Sequence, residues 1–100
     1  MNDKPLFTIS IAADLLKTHP RTLMAYEREK LISPYRSGSK RRIYSQNDID
    51  RIQFIQFLTQ KKSVNLAGVK IILDAIKKAK KNNLNLKKEL FPEFKLKNLY

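Results

Sequence analysis

His19-Pro20-Arg21-Thr22-Leu23-Met24-Ala25-Tyr26-Glu27-Arg28-Glu29-Lys30-Leu31-Ile32 and the basic run Ser37-Gly38-Ser39-Lys40-Arg41-Arg42-Ile43-Tyr44 decide how this chain is read. Pro20 suits the first position of a helix, where its missing N–H costs nothing, and His19 before it is held extended, as an N-cap is. Leu23 and Tyr26 give that helix an inward side and leave Arg21, Thr22, Ala25 and Arg28 outward. Upstream, Thr8 caps a shorter helix with Ile9, Ala12, Ala13 and Leu16 on one face, and Lys17-Thr18-His19 forms the turn between the two. Downstream, Ser33-Pro34-Tyr35-Arg36 and Arg42-Ile43-Tyr44 read as extended arms around a loop in which Gly38 is expected to supply the positive φ. Two short helices followed by a basic hairpin can set one helix in a DNA groove and lay a loop over the adjacent backbone.

The remainder supports that core. Ser45-Gln46-Asn47-Asp48 resembles a capping box with Asp in place of the usual Glu or Gln. Ile49, Ile52, Ile55 and Leu58 then recur at helical spacing, and Phe54 and Phe57 broaden the stripe. After Lys61-Lys62-Ser63-Val64, Asn65 caps a fourth helix with Leu66, Val69, Ile72, Leu73 and Ile76 on one side and lysines on the other. Asn82-Asn83 is expected to end it. The tail carries Leu84, Leu86, Leu90 and Phe91 before Pro92, then Phe94, Leu96, Leu99 and Tyr100.

At 100 residues the chain fits one domain, and its ordinary apolar share argues against disorder. Charge is the outlier: 21 Lys plus Arg against 9 Asp plus Glu give +12, a balance that favours polyanions. The surplus begins at the turn before the second helix, because the first 16 residues hold one Lys against two Asp. Cysteine is absent and histidine occurs once, so neither a disulfide framework nor a metal site is expected. No glycine-rich phosphate loop or catalytic constellation stands out, and neither an enzyme nor a cofactor is expected. No run approaches the roughly 18 apolar residues of a membrane span, and the start lacks the pattern of a signal peptide. A cytoplasmic, nucleoid-associated bacterial protein with no membrane partner is the expectation.

With these residues in place, the order of elements resembles the MerR family of winged helix-turn-helix transcription regulators. Phe7-Thr8-Ile9 with Ala13, Arg21-Thr22-Leu23 with Tyr26-Glu27, Leu31-Ile32 with Pro34, Arg42-Ile43-Tyr44 and Asp48-Ile49 carry the likeness. His19-Pro20, Tyr26-Glu27-Arg28-Glu29 and Val64-Asn65-Leu66-Ala67-Gly68-Val69 resemble its heat-shock repressor HspR branch. The resemblance implies a mainly α fold with a small β-hairpin wing near residues 36–44 and a recognition helix over residues 20–30. It also implies a homodimer on an inverted repeat of double-stranded DNA, and the chaperone DnaK as co-repressor. The chain departs from the pattern at Met24 and Ala25, where family members commonly carry Arg and an aromatic. Lys30 stands where Gly often ends the helix. The expected division is a winged helix-turn-helix domain over residues 1–76, then a Lys-rich helix end and short tail over residues 77–100 as a candidate dimerisation segment.

The expected DNA face comprises Thr18 and His19 at the turn, with Arg21, Thr22, Ala25, Tyr26 and Arg28 on the second helix. Arg36, Lys40, Arg41, Arg42 and Tyr44 belong to the wing, and Lys61, Lys62 and Asn65 to a second one. Arg21 at the start of the helix suits a guanine edge, with a phosphate contact as the alternative. Lys40-Arg41-Arg42 suits backbone clamping, while Arg42 has a competing role in pairing with Asp48 or Glu27. Tyr26 and Tyr44 are either half-buried anchors or phosphate contacts, His19 a turn residue, and Asn65 first of all a cap. The functional expectation is a repressor of heat-shock or chaperone genes. A MerR-like factor of a recombination or transposition system, and an interaction module without specific DNA binding, remain alternatives.

Overall fold

The computed structural model describes residues 2–100; Met1, the first residue of the expected domain, lies outside the described residues. Eight elements follow in order: β1 (Pro5–Thr8), α1 (Ile9–Leu15), α2 (Pro20–Arg28), β2 (Tyr35–Arg36), β3 (Arg42–Ser45), α3 (Gln46–Lys61), α4 (Leu66–Lys81) and α5 (Leu86–Leu90). The strands form one antiparallel sheet in the order β1-β3-β2. This is the winged helix-turn-helix architecture expected, with one addition. Strand β1 was not anticipated, because its four residues acquire their pairing from β3, with Phe7 opposite Tyr44 and Thr8 opposite Ile43.

Helix starts follow the local side chains. Thr8 Oγ1 accepts from the Ile11 N–H, and Ser45 and Asp48 exchange bonds in a complete capping box. Asn65 Oδ1 accepts from the Gly68 N–H at 2.8 Å. A Cβ on Gly68 would meet Val64 Cγ1 at 2.7 Å, so a larger residue there would have to displace the Val64 side chain.

Helix ends are less conventional. Lys17, Lys30 and Asn83 follow α1, α2 and α4 with φ of 52°, 61° and 60°, and each closes a Schellman pattern. For α2 the Leu31 N–H donates to the Tyr26 carbonyl and the Lys30 N–H to the Glu27 carbonyl, both at 2.9 Å. Gly38, expected to carry the wing's positive φ, does not; Lys40 does, at 62°. The Lys40 N–H donates to the Ser37 carbonyl, so Gly38 and Ser39 occupy the centre of a turn with negative φ. The left-handed residue comes one step later, as in a type I turn followed by a bulge.

The core centres on α3, whose Ile49, Ile52, Ile55 and Leu58 are fully buried against Ala12, Leu23, Leu31, Tyr44 and Val69. Arg51 Nε donates to the Leu31 carbonyl at 2.7 Å and Gln56 Nε2 to the Leu16 carbonyl at 2.9 Å, tying α3 to the ends of α2 and α1. The tail returns across the other flank of α3. Phe91 and Phe94 meet Phe54 and Phe57 with ring centroids 5.1–5.8 Å apart. Gln53 accepts from the Lys97 N–H and donates to its carbonyl, at 2.9 and 3.1 Å. Tyr100 stacks on Phe7 and donates its hydroxyl to Gln46.

Lys30→Gly should raise stability by about 0.5–1 kcal/mol, since glycine enters the left-handed region without a Cβ penalty. Chemical denaturation checks this; a loss would mean that the Lys30 side chain makes a stabilising contact outweighing its backbone cost.

Candidate nucleic-acid interface

His19 Nδ1 accepts from the Arg21 N–H at 3.0 Å, so the lone histidine caps α2 while remaining exposed. That bond requires the tautomer with an unprotonated Nδ1. Pro20 follows at the first helical position. The cap fixes where α2 starts and presents Arg21 exposed on the first turn, with Arg28 exposed on the last. Thr22 and Ala25 are half-buried between them, and Thr18 is half-buried in the preceding turn. Tyr26 is buried, and burial raises its phenol above the ordinary value, against a lowering by Thr59. It is an anchor for α2.

The wing is fastened to α2 through one carboxylate. Glu27 Oε1 accepts from Arg42 Nε at 2.5 Å, and Oε2 accepts from Arg36 Nη2 at 3.0 Å. Arg36 and Arg42 stand opposite each other on β2 and β3, which lets a single Glu take both. Arg36 also donates to the Lys40 carbonyl at the wing tip. Of the two partners weighed for Arg42, Asp48 is already committed to the capping box, so Glu27 is the one used. Burial works to raise the Glu27 carboxyl, but the bonds and charges of Arg42 and Arg36 together hold it below the usual carboxylate value. The pairing offsets one of the two charges of Arg36 and Arg42 and ties both side chains to α2. Lys40 and Arg41 remain exposed at the tip, with no ion pair among the described residues.

Two expectations need correction. Tyr44 is fully buried, and its hydroxyl has no solvent access and no hydrogen-bond partner among the described residues, so it cannot reach a phosphate in this conformation. Its place opposite Phe7 in the centre of the sheet explains this: β3 is the middle strand. Burial pushes its phenol up to about 12. Lys62 is also less available than expected, because Nζ pairs with Glu93 of the tail at 2.6 Å. Lys61 is exposed beside it with no such pair among the described residues, and Asn65 is engaged as the α4 cap. Glu27 was foreseen only as one option for Arg42. Its second bond, to Arg36, follows from strand register and had no local sequence signal.

Among the described residues no cluster of three His, Cys, Asp or Glu forms a metal-binding group, and no helix is long and apolar enough to cross a membrane.

Comparison with known proteins accords with this architecture. Residues 7–76 match the model of the MerR HTH family regulatory protein. The chain belongs to the MerR family. It is 43% identical over 72 residues to "Putative heat shock protein HspR" of Streptomyces coelicolor, covering 72% of this chain and 48% of that one. It is 39% identical over 69 residues to the HTH-type transcriptional regulator GlnR of Bacillus anthracis and of Bacillus cereus, covering 69% of this chain and 53% of each. The chain thus spans about half the length of the curated relatives it matches.

Glu27→Gln should loosen the wing, costing roughly 1–2 kcal/mol because two arginines lose a charged acceptor. The depressed carboxyl stabilises the fold above its unfolded value, and that contribution is lost as pH falls through its lower folded value. Acid titration of stability should therefore show a component in the wild type that is missing in Glu27→Gln; identical profiles would refute the bridge.

Tyr44→Phe should leave stability unchanged or raise it by up to about 1 kcal/mol, since it removes a buried hydroxyl that has no hydrogen-bond partner among the described residues. In the wild type, stability should fall as pH rises from the ordinary phenol value of 10 towards about 12, where the buried Tyr44 ionises. Absorbance titration and alkaline melting check both; a Tyr44→Phe variant less stable than wild type would show that the hydroxyl has a partner in solution.

Proposed function

We propose that this protein is a DNA-binding transcriptional regulator acting as a repressor at an inverted-repeat operator of heat-shock or chaperone genes. The observation that carries the reading is the pairing of α2 with the wing. Arg21 and Arg28 are exposed on a helix whose Glu27 clamps the hairpin that presents Lys40 and Arg41. In this reading Arg21 addresses a guanine edge and Thr22 and Ala25 lie against the groove wall. Lys40 and Arg41 hold phosphates, while Arg36 and Arg42 act mainly by keeping the wing in place. Lys61 and the N-terminal turn of α4 supply a second backbone contact. The heat-shock assignment draws support from the HspR likeness, as does a DnaK-type chaperone partner.

One chain offers one recognition helix, so an inverted repeat calls for two copies, with half-sites at multiples of about 34–36 Å. Residues 77–100 are the proposed pairing segment. Within it Leu84 and Leu90 expose 61% and 55% of their surface around α5, apolar area suited to a second copy, and Ile71 exposes 70% on α4 before the segment begins.

Binding to the protein's own promoter, followed by anisotropy against salt, tests the proposal. If about four cations per copy meet phosphates, log affinity should fall against log salt with a slope of about −3.6 for each bound copy, hence about −7 for a pair on one operator. A flat response rejects phosphate clamping. Arg21→Ala should lose about 1–3 kcal/mol of discrimination at one base pair, whereas Arg41→Ala should weaken operator and scrambled duplex alike. Equal wild-type affinity for both duplexes would favour an interaction module over a regulator.

A further inference from the structure

We propose that the cleft between α3 and the returning tail is a binding site for a small amphipathic anion, a carboxylate on an aliphatic chain. The site lies off the α2–wing face and shares only Lys61 with the proposed DNA contacts, so it can be tested on the DNA-free chain. Its volume of about 640 Å³ lies within the range of small-molecule pockets. The floor is apolar: Leu15 from α1, Phe57 from α3, and Phe94 and Leu99 from the tail. The rim is cationic, with Lys17 at the α1–α2 turn, Lys61 at the end of α3, and Lys95 and Lys97 on the tail. None of these four makes an ion pair among the described residues. The one acidic residue of the lining, Glu93, is already paired with Lys62.

The neutral polar groups narrow the choice. Gln53 is committed to the backbone of Lys97 and Gln56 to the Leu16 carbonyl. What remains uncommitted around an apolar floor is mostly ammonium. A cation would be repelled, and a neutral lipid would leave the lysines without a counter-charge. A nucleic-acid backbone would use the lysines without filling the floor. A single negative head with an aliphatic body satisfies both parts, the head drawing charge-assisted bonds and the chain losing water contact against Phe57 and Leu99. Because tail and α3 both line the cleft, the bound ligand also holds the tail against α3.

Calorimetry on the full DNA-free chain tests this with decanoate below its micelle concentration, beside decanol and decyltrimethylammonium. Decanoate should bind one per chain, with decanol at least about ten-fold weaker for want of the charge-assisted bonds, and the cation not at all. Lys95→Ala/Lys97→Ala should weaken decanoate by about ten-fold or more. Lys17→Ala/Lys61→Ala, which leaves the tail untouched, should do the same even if the first pair disturbs tail docking. Lys77→Ala/Lys80→Ala on α4 should change nothing. Absence of binding, equal affinity for decanol, or equal losses from the α4 pair would each overturn the proposal, the last by showing general attraction to a basic surface.

Discussion

Helix α3 is buried around most of its circumference, and that constraint determines what the rest of the chain must do. A helix with one wet side needs a single partner layer; one that is apolar on both flanks needs two. Ile49, Ile52, Ile55 and Leu58 take α1, α2, the sheet and α4 as cover, while Phe54 and Phe57 remain on the far flank. Leaving two adjacent rings wet would forfeit several kcal/mol, on the order of 1.5–3 for each side chain. The tail meets that demand with Phe91 and Phe94, and Gln53 is buried with both ends of its amide satisfied by the Lys97 backbone. Lys87 completes the cover, its ammonium 4.5 Å from the centroid of Phe54 and held below its usual value by burial. Residues 91–100 are thus part of the core's enclosure.

The same helix positions the candidate interface. Its hydrogen bonds to the carbonyls of Leu16 and Leu31 fix the carboxyl ends of α1 and α2, so the turn between those helices cannot slide relative to the core. The wing is positioned differently, through charge. A two-residue strand such as β2 supplies little pairing of its own, and Glu27 compensates by taking both arginines across the hairpin. The arrangement makes orientation of the wing depend on α2 directly: whatever moves Glu27 moves the wing tip.

Legibility in the sequence followed the range of each interaction. All four long-helix starts were readable because Thr8, His19, Ser45 and Asn65 act on N–H groups two or three residues away. The ends were harder. With only two glycines in the chain, the usual stop signal is scarce, and Lys17, Lys30, Ser63 and Asn83 adopt the left-handed conformation instead. Lys30 was anticipated because it stands where Gly is common in the family; Lys40 was not, since a glycine two residues earlier drew the assignment. Strand β1, the second Glu27 bond and the return of the tail all depend on residues far apart in sequence. For the tail a signal did exist: Phe54 and Phe57 widened the apolar stripe of α3 beyond what one covering layer can bury.

Charge pairing separates two roles that a net charge of +12 merges. Glu27 offsets one of the two charges of Arg36 and Arg42 while bridging both, and Lys62 pairs with Glu93 and Lys78 with Asp74. What remains is a broad basic field from the α4 and tail lysines and a small set of exposed cations at α2 and the wing tip. The broad field raises the rate of encounter with any polyanion and is screened by salt. Discrimination has to come from short-range contacts, and on α2 the positions held by Met24 and Ala25 offer neither charge nor aromatic surface. Arg21, fixed on the first turn by the His19 cap, is therefore where a change of one side chain should alter selectivity most, while changes among the α4 lysines should alter only overall attraction.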